Sequence, residues 1–303
     1  MVNLFVVVLN WNRVELTLQC LQEIEKVGKK GIKISVVVVD NASHESIKKI
    51  INFSSKKFSY HFIKNTKNLG YAAGNNVGIE YALKRKADYI LVLNNDVLLD
   101  KSLFESLVKN AQESSVGAVT PKIYFARGFE YHKDRYKKSD LGKIIWAVGG
   151  VIDWNNVYAN NRGVDEVDRG QYDLADYVDF GTGACLLLKT SALKVTGIFD
   201  PRYFMYFEDV DLAMRMKTCG YKIKYAPRAI MWHQVSQSSG IGSNLNDYFL
   251  TRNRILFATL YAPLRARIAI LRESFRFLVS GRVWQKRGVV DFFRQNFETG
   301  SWS

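Results

Sequence analysis

Residues 89–96 read Tyr-Ile-Leu-Val-Leu-Asn-Asn-Asp. A short unbroken apolar run closed by polar turn formers marks a strand covered on both faces, with the polar residues at its carboxyl end. Working toward the N-terminus, two more such runs appear: Leu4 to Leu9, followed by Asn10, and Ile34 to Val39, followed by Asp40-Asn41-Ala42-Ser43. Between them Val14 to Val27 carries Leu18, Leu21 and Ile24 at helical spacing. Asn75 to Lys86 and Ser102 to Glu113 also read as helices, and His61 to Ile63 and Gly117 to Thr120 as short strands. This alternation predicts an α/β chain with a mostly parallel sheet flanked by helices. Ligands of such sheets sit outside the carboxyl ends of the strands. Asn10, Asp40, Asn94, Asn95 and Asp96 all fall there.

Past residue 120 the pattern changes. Phe125 to Asp173 is polar and loop-rich. Regular structure resumes over Tyr177 to Lys189, where an apolar strand follows Gly181-Thr182-Gly183. A helix is expected from about Glu208, with Gly220 as its stop signal, then a strand over Lys222 to Tyr225 and a segment reaching Trp232-His233. From Asn246 onward the chain reads as helical, basic and aromatic.

The net charge of +14 favours anionic partners: nucleic acid, lipid headgroups or phosphorylated substrates. From Leu245 to the end, ten Lys and Arg stand against four acids, so the tail holds a disproportionate share. No nucleic-acid-binding module is visible, and the acids Glu208, Asp209 and Asp211 would repel a phosphate backbone, so no nucleic-acid partner is expected. Cys20, Cys185 and Cys219 are widely spaced, which indicates neither a disulfide framework nor a zinc site and fits a reducing cytosol. The apolar N-terminus reads as a buried first strand rather than a signal peptide. The longest apolar run of the tail, Ile255 to Ala262, is far short of the roughly 20 residues of a spanning helix. A cytoplasmic protein is expected.

Four motifs carry chemistry. Asn94-Asn95-Asp96 offers a carboxylate that can coordinate a divalent cation against a diphosphate, although Asn and Asp are also common in turns. Asn65 to Ile79 has glycines at 70, 74 and 78 before a helix whose N-terminus could offer N–H groups to a phosphate. It matches neither a Walker loop nor the dinucleotide fingerprint. Phe199 to Ile223 sets Glu208, Asp209 and Asp211 at a helix start behind Tyr203, Phe204, Tyr206 and Phe207. Those acids suit proton abstraction from a hydroxyl, or simple helix capping. The fourth is His233, more often structural than a ligand when alone, and here a companion to Asp96.

Taken jointly, these elements resemble the family 2 glycosyltransferases, within them the bacterial rhamnosyltransferase-like members. The resemblance rests on VVVLNWNR (6–13), VVVVDNAS (36–43), NLGYAAGNN (68–76), YILVLNNDV (89–97), GTGACLL (181–187), YFMYFEDVDLAMRMKTCGYKI (203–223), PRAIMWH (227–233) and, in the tail, YFLTRNRILF (248–257). It implies a GT-A type fold with a basic C-terminal helical extension. Residues 1–120 would be the nucleotide-sugar-binding half, 121–240 the acceptor-binding and catalytic half, and 241–303 the extension. Asn10 and Asn12 would lie near the nucleoside and Asp40 on the base or ribose. Asn68 and Gly70 would line the nucleotide pocket, and Asn94, Asn95 and Asp96 would complete the nucleotide-sugar site. Asp96 matches the metal-binding acid of the family's D-x-D motif, whose first position is Asn94 here, so the Mg²⁺ or Mn²⁺ would depend on Asp96 and His233. Asp209 matches the catalytic base. Glu208 would orient it or contact the acceptor, Asp211 would stabilise the helix or support the site from behind the residues that touch substrate, and Gly181, Thr182 and Gly183 would floor the acceptor site.

The implied reaction is an inverting transfer from dTDP-rhamnose, otherwise a UDP-sugar, to a saccharide or lipid-linked saccharide in bacterial surface polysaccharide synthesis. A sugar-1-phosphate nucleotidyltransferase, a basic nucleic-acid-binding protein and an inactive nucleotide-sugar sensor are the rival readings. For the tail, one reading is a peripheral patch on the inner face of the cell membrane, with Phe275, Phe277, Leu278, Val283 and Trp284 entering an anionic surface. The other packs its helices against the catalytic domain or a second subunit in a homodimer.

Overall fold

The protein was analysed as a computed structural model that describes residues 1–235 and 243–302. The expected boundary between 240 and 241 lies outside the described residues. The first part of the chain runs β1 (Val2–Asn10), α1 (Val14–Lys26), β2 (Ile32–Asp40), α2 (Lys48–Ile51), β3 (Ser59–Lys64), α3 (Gly70–Lys84) and β4 (Tyr89–Leu93). Next come β5 (Val97–Leu99), α4 (Leu103–Ala111), β6 (Val116–Phe125), β7 (Ile145–Ala147), β8 (Gly150–Asp153), β9 (Tyr158–Asn161) and β10 (Asp176–Val178). The rest is β11 (Cys185–Lys189), α5 (Thr190–Thr196), α6 (Glu208–Thr218), β12 (Lys222–His233), α7 (Asn244–Tyr261), α8 (Leu264–Ser280) and α9 (Val283–Phe293).

One sheet has the order β3-β2-β1-β4-β11-β6-β12-β10, with β5 and β7 attached to β12 and β6, while β8 and β9 form a separate hairpin. Its β3-β2-β1-β4 side is wholly parallel, as the crossover helices between those strands require. On the other side β11 runs antiparallel to both neighbours. Alternation divides the core between the two faces. Val6, Val8, Leu91 and Leu93 pack with α1 and α4, whereas Val7, Ile90 and Val92 pack with α3, α6 and α7. Ile255, Phe257, Ile270 and Val289 of the last three helices join the second of these layers, so the C-terminal region shares the core of the sheet.

Three boundaries differ from the sequence reading. α3 begins at Gly70, five residues before Asn75, because the glycine-rich stretch is itself the first turns of the helix. β6 continues through Pro121, which lies past Val119, the last β6 residue paired with β11, and where its missing N–H breaks no bond on that side. β12 is a single strand, with a break in register between Ala226 and Ile230 that accommodates Pro227. The segment without a readable pattern contains β7, β8 and β9, each too short to show alternation.

Candidate active site

Parallel register aligns the strand tips. Asn10 lies opposite Asp40 and Val8 opposite Leu93, so the residues after β1, β2 and β4 reach the same edge. There a closed polar network forms. Asn10 Nδ2 donates to Asp40 Oδ1 at 2.8 Å, and the Ser43 hydroxyl donates to the same oxygen at 2.6 Å. The Thr17 hydroxyl donates to Asn10 Oδ1 at 2.7 Å and accepts from Asn95 Nδ2 at 2.9 Å. Asn10 and Asp40 are fully buried. Asn12 is held at φ +52° by its own N–H on Ser43 Oγ and by Oδ1 accepting from the His44 amide. Thr17 and Ser43 were not singled out from sequence. Ser43 could have been, as the third residue after a strand-ending Asp, the spacing of a side chain that closes an Asx-type turn.

The Asn68–Gly70 turn is built the same way. Asn41 Nδ2 donates to Asn68 Oδ1 at 2.7 Å, and Asn68 Oδ1 also accepts from Gly70 N at 2.8 Å. Gly70, at φ +75°, must be glycine, since a Cβ there would fall 2.4 Å from the Phe204 ring. The Ala72 amide donates to the Phe204 carbonyl at 3.0 Å, so this first-turn amide of α3 is taken within the chain. Neither Asn68 nor Gly70 borders the cavity described next.

That cavity, of about 530 Å³, opens where β4, β11, α6 and the end of β12 converge. Asn94, Asp96, Thr182, Gly183, Glu208, Asp209 and His233 line it, bringing together residues up to 139 positions apart. Gly181 lies behind the wall, under Leu186 and Thr120. Tyr71, Trp146 and Asn161 also line it and had no sequence signal.

His233 Nε2 faces Asp96 Oδ1 at 3.0 Å, with Trp146 edge-on to the imidazole at 4.6 Å. The other nitrogen, Nδ1, is buried without a hydrogen-bond partner. No group of three His, Cys, Asp or Glu side chains that could hold an ion gathers among the described residues. One carboxylate and one imidazole on a cavity wall fit a divalent cation shared with phosphate oxygens and water, rather than one caged by protein. An imidazole in the set favours Mn²⁺ over Mg²⁺.

α6 begins on the wall of the same cavity. Asp209 Oδ2 accepts from the Gly183 amide at 2.9 Å and Oδ1 from the Val210 amide at 2.8 Å, which fixes the carboxylate in one orientation. Gly183 stands close to the Tyr71 hydroxyl, which donates to the Gly183 carbonyl at 2.6 Å; a Cβ at 183 would lie 2.9 Å from that oxygen. Glu208 is buried, and its Oε2 has no partner. Burial raises both carboxyls above their ordinary pKa. Glu208 is raised further, because the charge of Asp209 adds to burial, whereas two amides pull Asp209 back. Of the two, Glu208 therefore holds its proton to the higher pH and Asp209 is the more readily ionised. Asp211 plays no part in the cavity. It is buried against Arg215 at 2.7 Å and the Tyr261 hydroxyl at 2.8 Å.

The loop leading into α6 is strained. Phe204, Tyr206 and Phe207 all have positive φ, at 62°, 67° and 72°. Such conformations cost on the order of 1–3 kcal/mol each, so something must hold them. Asn253 of α7 does: its Nδ2 reaches the carbonyls of Tyr203, Met205 and Tyr206 at 2.8, 2.7 and 2.9 Å. Buried Arg252 adds Nη2 contacts of 3.1 Å to the carbonyls of Arg202 and Tyr203. The sequence signal was the Arg-Asn-Arg of the tail, but nothing local tied it to a loop some 50 residues away.

Comparison with known proteins shows the family and the fold. N-acetylglucosaminyl-diphospho-decaprenol L-rhamnosyltransferase of Mycobacterium tuberculosis is 32% identical over 158 residues, 50% of this chain and 49% of that protein. The low-salt glycan biosynthesis hexosyltransferase Agl10 of Haloferax volcanii is 23% identical over 222 residues, 73% of this chain and 66% of its own. The chain thus spans about half to two thirds of the length of these curated relatives. The crystal structure of GalNAc-T7 with UDP, GalNAc and Mn²⁺ superposes with a TM-score of 0.67 at 14% identity, covering 100% of this chain and 56% of that one. At that identity the likeness is one of fold, and the fold is GT-A. A family model described as glycosyltransferase like family 2 matches residues 3–254, a span running from the first strand through the Asp209 turn to the helix that braces it, and the chain belongs to that family.

Proposed function

We propose that this protein is an inverting glycosyltransferase that moves a hexosyl group, rhamnose from dTDP-rhamnose or otherwise the sugar of a UDP-sugar, to a hydroxyl of a saccharide carried on a lipid diphosphate. The observation that carries it is Asp209, held by two amides on the wall of the same cavity as the Asp96–His233 pair. Each Asp209 oxygen spends one lone pair on an amide and keeps another for an attacking hydroxyl. Asp209 takes that proton as the acceptor oxygen bonds to the anomeric carbon, and the bond from that carbon to the diphosphate breaks on the opposite face. One displacement inverts the centre. When bound, a divalent cation at Asp96 and His233 neutralises charge developing on the diphosphate. Glu208, whose burial raises its pKa beyond that of Asp209, donates a hydrogen bond to the acceptor or to Asp209 when it carries its proton. Asn12, Asn68, Asn94 and Asn95, all partly exposed beside the strand tips, receive the nucleotide, on a floor set by Asn10 and Asp40. The Mycobacterium tuberculosis relative's name supports both the rhamnosyl group and a diphosphate-linked lipid acceptor.

For the tail, the reading is peripheral association with an anionic membrane, in a chain where no helix among the described residues is long and apolar enough to cross one. Leu264, Ile268, Phe275, Leu278 and Val279 of α8 are exposed and fall, with Leu271, within an arc of about 100°. Arg265, Arg272 and Arg276 flank that arc. Two of the expected lipid contacts are turned inward instead: Phe277 packs on the core, and Trp284 lies 4.6 Å from Trp302 behind the catalytic loop. An apolar stripe edged by arginines, with no acid beside it, suits anionic lipid better than a second copy of this basic chain.

Thermal-shift measurements with UDP, dTDP and GDP, each with and without Mn²⁺, test the transferase reading. Stabilisation by UDP or dTDP that requires Mn²⁺ and vanishes in Asp96→Ala is the expected result. Indifference to every nucleotide would sink it.

A further inference from the structure

A second groove, of about 440 Å³, lies between α8 and the β8–β9 hairpin. Asn156, Tyr158, Arg254, Arg272, Glu273 and Arg276 line it. Arg254 is engaged: Nη1 pairs with Glu273 at 2.8 Å, Nε donates to the Asn156 carbonyl at 3.0 Å, and its guanidinium lies 4.1 Å over the Tyr158 ring. It frames the groove. The guanidiniums of Arg272 and Arg276 have no ion pair or hydrogen bond among the described residues. They stand one helical turn apart, a like-charge spacing that destabilises a helix unless an anion comes between. Two free guanidiniums on one wall of a concave site are the donor set for a phosphoryl group, which they can grip bidentately.

The groove also has a defined relation to the cavity. Ala159 and Asn161 of β9 line the cavity, while Tyr158 of the same strand lines the groove. From Tyr158 to Asn161 a strand advances about 10 Å. The exposed apolar stripe of α8 borders the arginines on the other side. A molecule with sugar, phosphate and hydrocarbon in that order would meet cavity, groove and stripe in the same order.

We propose that the Arg254–Arg272–Arg276 groove binds a phosphoryl group, so that a phosphorylated lipid presents its saccharide to Asp209 across the hairpin. This rests on the acceptor reading above for its purpose, but not for the binding itself. The phosphoryl group could belong to the acceptor's own diphosphate or to a bilayer headgroup, and two probes separate them. The first is inorganic pyrophosphate titrated calorimetrically into the full chain in EDTA. The second is flotation with phosphatidylcholine vesicles with and without phosphatidylglycerol. Both are run on the wild type, on Arg272→Ala/Arg276→Ala and on Asp96→Ala. Pyrophosphate binding that falls at least about tenfold in the arginine double variant and holds in Asp96→Ala assigns the groove to the acceptor. Retention on phosphatidylglycerol vesicles that is lost in the double variant, without pyrophosphate binding, assigns it to a headgroup. Binding of neither probe by the wild type, binding unaffected by the double variant, or pyrophosphate binding lost only in Asp96→Ala would overturn the proposal. Because both arginines are exposed, the double variant should keep the wild-type Tm and its stabilisation by nucleoside diphosphate. Pyrophosphate binding here by a protein that no nucleotide stabilises would keep the groove and remove the transferase reading instead.

Discussion

Two buried polar clusters lie side by side at the same edge of this sheet, and they are finished differently. Around Asp40 the side chains close on one another: Asn10, Thr17, Ser43 and Asn95 donate and accept in a ring, and Asp40 is left with no exposed surface. Around Asp209 the closure is incomplete. Glu208 Oε2 and His233 Nδ1 are buried and unpartnered, and the Asp209 oxygens each keep a lone pair toward a cavity. A satisfied network stabilises a shape, whereas one left open beside a cavity keeps polar atoms for water or a ligand. The difference separates scaffold from reaction site more sharply than residue type does, because both clusters are built of Asn, Asp and hydroxyls or amides at strand and helix ends.

Substitutions on the two sides should therefore fail in different currencies. The largest effect is expected from Asp209→Asn, which keeps the shape but cannot take a proton. Sugar transfer should fall by about 10²–10⁴, with Tm nearly unchanged, and a loss of folding equal to the loss of activity would erase the distinction. Asp40→Ala should do the reverse. It strands the Asn10 and Ser43 donors in a dry site, costing on the order of 1–3 kcal/mol or more, seen as a lower denaturant midpoint. Smallest is Glu208→Gln, which should stabilise. Glu208 keeps its proton in the fold above its ordinary 4.5, mainly through burial, while the unfolded chain releases it. The folded state then binds more protons, so stability falls as pH rises from that value toward the folded pKa. Removing the ionisable group should raise Tm at pH 8 by about 2–4 °C for each kcal/mol relieved, the gain closing toward pH 4.

Much of this was legible in the sequence, for a physical reason. Buried parallel strands must be apolar along their length, so a polar residue at the end of such a run stands out, and Asn10, Asp40 and Asp96 were located that way. The acidic turn at Glu208 announced itself by three carboxylates in four residues. Which of them holds its proton to the higher pH was not legible, since that depends on the Gly183 amide and on burial set by distant packing. Nor was the role of Asn253, whose partners are carbonyls, identical in every residue and therefore silent in sequence. The start of α3 was misjudged because Gly70, Gly74 and Gly78 read as a turn, while in the fold they let the helix lie close on Phe204, Leu9 and Val7.

Asn253 grips backbone, and that has an evolutionary meaning. A brace made to side chains would oblige brace and loop to change together. A brace made to carbonyls leaves the side chain of Met205, which lines the cavity, open to change while the loop keeps its path and Asp209 its aim. Descendants of such a chain can reshape the cavity at that position without first rebuilding the turn that carries Asp209.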